Sequence, residues 1–215
     1  MVKKLVLFIC LILAGLPSVY SQVVSDPDAT VIIDKLLETI QQEAIKANFT
    51  LTVSDENNET VQKQQGKFII KNDRFVFDTD EVKVVFDGKD QWSYMASTNE
   101  VSITEPTEDE INQVNPLAVI SSYRKNSIII FSRTEQSAQN DIIVMIPTIP
   151  GAEYKTIDIQ INKTSANPSY IKLAGNNNYT VEIKFSNFRK GVSVNDQTFT
   201  FDSSEYPDIF ENDLR

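Results

Sequence analysis

The stretch VVFDGKDQWSYMASTNEVSI, residues 84–103, decides how the chain is read. Asp87-Gly88 is a tight-hairpin signal, because both residue types tolerate positive φ. Val82, Val84 and Phe86 alternate with other residues before it. Trp92 and Tyr94 follow on one face of the next strand, with Gln91, Ser93 and Met95 on the other. A turn at Ser97–Asn99 then returns the chain as Val101 and Ile103. Apolar residues at period two mark half-buried strands, and consecutive hairpins make a meander. The expected register puts Trp92 and Tyr94 on the apolar side with Val84, Phe86, Val101 and Ile103.

The same period extends in both directions. Upstream, Phe49, Leu51 and Val53 alternate with Thr50 and Thr52, and Phe68 and Ile70 precede an Asn72-Asp73 turn into Phe75 and Phe77. Downstream come Ile128–Phe131, Ile142–Ile146, Ile157-Ile159-Ile161, Ile171-Leu173 and Tyr179-Val181-Ile183-Phe185, with Phe199 and Phe201 closing the set. Two segments break this rhythm. Residues 28–47 read as a helix with Asp28 as N-cap, because Ile33, Leu36, Leu37, Ile40 and Ala44 fall on one stripe. Residues 106–125 read as two short helices, one starting at Pro106-Thr107-Glu108-Asp109-Glu110 and one at Asn115-Pro116 that carries Leu117, Ile120 and Tyr123.

The pattern predicts a mainly β (α+β) fold of about ten or eleven antiparallel strands with no βαβ rhythm. A one-faced sheet of that size twists and curls toward a barrel, so the expected architecture is an incomplete antiparallel β-barrel with a helical lid.

The N-terminus carries Lys3-Lys4, an apolar run from Leu5 to Leu16, then Pro17 and small residues up to Ser21. This is the pattern of a secretory signal peptide cleaved after Ser21, and the run is too short for a spanning helix, which needs roughly 20 apolar residues. Residues 22–215 are then expected to form one domain. Losing Lys3 and Lys4 takes the net charge from −10 to −12. Such an acidic surface argues against nucleic acid and against adhesion to anionic lipid. Cleavage would also remove Cys10, the chain's only cysteine, and histidine is absent. The usual general base, the thiolate nucleophile and most zinc sites are therefore unavailable. No cofactor or metal is expected.

Carboxylate pairs at Asp78/Asp80, Asp87/Asp90 and Glu108/Asp109/Glu110 match the residue type that polysaccharide hydrolysis needs. They also fall in turns or at a helix start, where acids are common. Trp92 and Tyr94 admit two readings, ordinary core packing or the lining of a ligand cavity.

Phe49-Thr50-Leu51-Thr52, Gln65-Gly66-Lys67-Phe68, Asp87-Gly88-Lys89 with Trp92-x-Tyr94 and Glu100-Val101, Asn115-Pro116-Leu117 and Phe199-Thr200-Phe201 follow one another along the chain. Their order resembles the LolA-type outer-membrane lipoprotein carriers. The resemblance implies an open eleven-stranded half-barrel closed by helices, and a non-enzymatic carrier working in the periplasm. Such a carrier takes acylated lipoproteins from an inner-membrane ABC-type release complex and hands them to an outer-membrane acceptor; a monomer is expected. The alternating strands and this resemblance together nominate a hydrophobic lining of Phe68, Phe75, Phe77, Trp92, Tyr94, Ile157, Ile159, Val181, Ile183 and Phe185, with Leu117 and Ile120 from the lid. The family's Lys-Arg-Pro-like segment, whose arginine bonds the lid, reads here Lys71-Asn72-Asp73-Arg74. That places Asn72 at the arginine position and leaves Arg74 as the candidate for a lid hydrogen bond. Alternatives on the same fold are the binding or sensing of another lipid or glycolipid.

Overall fold

The computed structural model describes residues 24–108, 110–111 and 115–215. The expected signal peptide lies outside them. Helix α1, Pro27–Gln42, starts earlier than an N-cap at Asp28 would allow. Pro27 takes the first helical position, and the Asp26 side chain accepts from the backbone N–H of Asp28 and Ala29. The helix also ends sooner than 47: Glu43 is extended, at φ −115 and ψ 143, and Ile45 already opens a strand. Ala44 fits the helical stripe by spacing alone.

Strands β1 (Ile45–Ser54), β2 (Thr60–Lys71), β3 (Arg74–Thr79), β4 (Val82–Phe86), β5 (Gln91–Met95) and β6 (Glu100–Thr104) form a meander. Helix α2, Pro116–Tyr123, follows, then β7 (Ser127–Phe131), β8 (Asn140–Pro147), β9 (Tyr154–Asn162), β10 (Pro168–Gly175) and β11 (Thr180–Lys190), a second meander. β1 joins the two by pairing with β11. A last short strand, β12 (Phe210–Asp213), pairs parallel with β6. The described residues thus form one open sheet of twelve strands, in the order β12-β6-β5-β4-β3-β2-β1-β11-β10-β9-β8-β7.

Phe199 and Phe201 do not form the closing strand expected of them. Asp196–Phe199 is a 3₁₀ turn, and the chain from there to β12 crosses the outer face of β3–β6. The long connection from β6 permits this parallel pairing, which a short hairpin would not.

Two apolar clusters lie on opposite faces of the sheet. The larger one joins the inner faces of β1–β4 and β7–β11 to Ala29, Ile33, Leu36 and Ile40 of α1 and to Leu117, Val119 and Ile120 of α2. The smaller one lies outside, where Val76, Val85 and Val101 meet Phe199 and Phe201 of the tail.

Candidate functional site: the apolar inner face

The inner face is built by register. β1 pairs Phe49 with Gly66 of β2 and with Phe185 of β11; β2 pairs Phe68 with Phe77 of β3; β3 pairs Phe75 with Phe86 of β4. These rings form one network, with centroids 5.8 Å apart for Phe68–Phe77, 5.6 Å for Phe68–Phe185, 5.4 Å for Phe75–Phe77 and 5.3 Å for Phe75–Phe86. Gly66 makes room for it: a Cβ there would lie 2.4 Å from the Asp78 carbonyl oxygen and 2.9 Å from Cζ of Phe49, whose ring covers the vacant position. Further round, the same face carries Ile183 and Val181 of β11, Ile171 of β10, and Ile157 and Ile159 of β9. Eight of the ten residues expected to line the site therefore share one surface.

Trp92 and Tyr94 do not. Trp92 pairs with Val85 and Tyr94 with Lys83, so both project from the outer face, beside Val101 and Ile103 but opposite to Val84 and Phe86. There they pack under the tail. The ring of Tyr94 lies 4.3 Å from that of Tyr206 and 5.9 Å from that of Phe201, and its hydroxyl donates to Asn99 Oδ1 at 3.1 Å. Arg74 is on the outer face as well, because Phe75 and Phe77 take the inner positions of β3. Its Nη1 donates to Asp196 Oδ1 at 2.8 Å and its guanidinium sits 4.7 Å from the Phe199 ring centroid. It binds the tail, not the lid.

The lid is held by other groups. Thr107 and Glu110 form a reciprocal cap in which Glu110 Oε2 accepts from Thr107 N and Oγ1, at 2.7 and 2.8 Å. These bonds hold the Glu110 carboxyl below its ordinary value. Asn115, almost fully buried, caps α2 by accepting from Leu117 N. At the far end of α2, Arg124 donates from Nε and Nη2 to the two carboxylate oxygens of Asp34 in α1, at 2.5 and 2.8 Å. That fork holds the Asp34 carboxyl below its ordinary value. Sequence reading missed this pair, which joins residues 90 positions apart.

Leu117 and Ile120 lie at 1% and 0% exposure against the inner face, and Ile33 and Leu36 of α1 are buried there too. Between α1, α2 and the β2–β3 turn, a cavity of about 540 Å³ remains, lined by Leu37, Ile40, Phe86, Ile111, Leu117 and Ala118, with Asn72, Asp73, Glu108 and Asn115 at its rim. Its size falls within the ~300–1,000 Å³ of small-molecule pockets. Asp73 and Glu108 are exposed. Asp87 and Asp90 are engaged in the β4–β5 turn: Asp87 accepts from Lys89 N and Asp90 N, and Asp90 accepts from Arg215.

Residues 24–177 match the family model described as outer membrane lipoprotein carrier protein LolA. The chain belongs to that family. Among its relatives, the outer-membrane lipoprotein carrier protein of Shewanella baltica OS155 is 33% identical over 116 residues, 52% of this chain and 53% of the relative. The chain thus spans about half the length of that relative. The protein of the same name from Shewanella sp. ANA-3 is 30% identical over 170 residues, 77% of this chain and 76% of the relative. An uncharacterized conserved protein from Thermus thermophilus shares the fold, with a TM-score of 0.57 at 10% identity over 86% of this chain and 99% of that one. No helix among the described residues of this LolA-family chain is long and apolar enough to cross a membrane.

Proposed function

We propose that the chain is a periplasmic carrier that shields the acyl chains of lipoproteins on its inner face and moves them between an inner-membrane ABC-type release complex and an outer-membrane acceptor. It does so without catalysis. One observation carries this reading: a continuous Phe- and Ile-lined face is covered by two helices whose own apolar side chains pack against it. The floor is buried under Ile33, Leu36, Leu117 and Ile120. Acyl chains reach it only when α2 moves off.

The energetics favour such an arrangement. Burying one sixteen-carbon chain stabilises a complex by on the order of 12 kcal/mol at ~0.8 kcal/mol per methylene. A rigid open cavity would hold several such chains too tightly to release them. A lid that regains its own apolar contacts when the ligand leaves offsets part of that term. The test is displacement of an environment-sensitive apolar dye by a synthetic triacylated lipopeptide. Stoichiometric displacement is expected; a folded protein that binds neither dye nor lipopeptide contradicts the proposal. Mass spectrometry of copurified ligand separates lipoproteins from a glycolipid or another lipid.

A further inference from the structure

The inner wall changes chemistry along one line. Up to β4 its buried residues are Phe, Ile, Leu, Val, Ala and Met. Across the β4–β5 pairing, Phe86 and Val84 meet Gln91 and Ser93, and these meet Thr104 and Ser102 of β6. Phe86 lines the rim cavity, so Gln91 is the next residue outward from its wall.

Two details distinguish this strip from an ordinary solvated face. Gln91 Nε2 donates to Ser93 Oγ at 3.2 Å, while Gln91 Oε1 is buried with no partner. Turning the amide over would leave its nitrogen unpartnered instead. A buried amide atom without a partner is costly and calls for an explanation. The outer end of the strip also carries two exposed apolar side chains, Met95 at 48% and Phe210 at 63%, placed on either side of Glu100 by the β5–β6 and β6–β12 pairings.

We propose that Gln91, Ser93 and Ser102 form a head-group subsite for the amide and ester groups that join acyl chains to a lipoprotein's first residue. The inference rests on the carrier reading and extends it from chains to head. Gln91 Oε1 accepts an amide N–H, and the two serine hydroxyls donate to ester or amide carbonyls. The acyl chains run inward over Phe86 and the phenylalanine floor.

The test compares two ligands of equal chain length, a dipalmitoyl lipopeptide and hexadecanol, each displacing the apolar dye from the full chain. Gln91→Leu and the double variant Ser93→Ala/Ser102→Ala are each expected to weaken the lipopeptide about five- to tenfold, the value of roughly one hydrogen bond, and to leave hexadecanol within about twofold. Gln91→Leu removes the unpartnered Oε1 together with the bond to Ser93, two effects that oppose each other, so its urea midpoint should stay close to that of the wild type, which guards against misfolding. Equal losses for both ligands, or no loss for either, overturn the subsite while leaving the carrier reading intact. Wild-type protein that binds neither ligand overturns both.

Discussion

Trp92 sits between Val85 and Ile103 on the outer face, in the cluster that Phe199, Phe201 and Tyr206 complete. Its surroundings are set by the tail, and the tail is held by Arg215, which donates to Asp90 Oδ2 at 2.6 Å and forks onto both oxygens of Asp213. Arg215 holds the Asp213 carboxyl down at about 2 and lowers that of Asp90 from its ordinary 3.8. Both folded-state values lie below the ordinary one, so their stabilisation is complete above about pH 4 and is lost as pH falls toward about 2. Trp92 emission should therefore shift to the red over that window. Arg215→Ala should produce the same shift at neutral pH, and an unshifted spectrum in that variant would count against this docking. A ligand on the inner face should leave Trp92 emission largely unchanged. Phe68, at 1% exposure, touches Phe49, Phe77, Phe185 and Phe188. Phe68→Ala should cost about 3–5 kcal/mol in urea unfolding. The face of Trp92 was legible in principle. Any even-membered turn after Phe86 pairs Trp92 with odd-numbered residues of β4, hence with Lys83 or Val85. Treating every apolar residue of the meander as belonging to one face hid this, because β4 has Val84 and Val85 pointing opposite ways.

At the scale of elements, α2 is a short helix anchored at both ends. It has eight residues, a buried Asn115 cap and the Arg124–Asp34 fork. An exposed ion pair contributes about 0.2–1 kcal/mol and is screened by salt. Arg124→Gln should accordingly speed amide exchange in α2 by a few-fold while leaving β2 and β9 protected, and salt at about 1 M should do the same to the wild type. Equal exchange in α2 and β2 would mean that the lid is not a separate unit. In the sheet, Gly66→Ala forces a Cβ against the Asp78 carbonyl and should destabilise the protein by about 1–3 kcal/mol in urea unfolding. The long alternating strands were legible because their inner residues are almost all Phe, Ile, Leu or Val. β12 was not: Phe-Glu-Asn-Asp has no alternation and pairs with a strand far earlier in the chain. The helix ends were read from spacing, which could not tell that Pro27 would fix the start or that Glu43 would turn extended.

Across the whole molecule the apolar lining of the inner face stops between β4 and β5. β3 and β4 are apolar on both faces, through Val76 and Val85 outside; at β5 and β6 only the outer face is, and the tail covers that outer strip from β3 to β6. One curled sheet thereby carries a packed outer core near its β12 edge and a helix-covered apolar trough along the rest. The helices cover the trough, and the proposed carrier role needs them to give way to acyl chains. The most direct test places a photoreactive group at the acyl terminus of a dipalmitoyl lipopeptide and maps the crosslinked residues by mass spectrometry. Crosslinks are expected on the inner face, at Phe68, Phe77, Ile159 and Ile183, together with protection lost in α2. Crosslinks at Trp92, Tyr94 or Phe201, or an even scatter over the surface, would contradict the account.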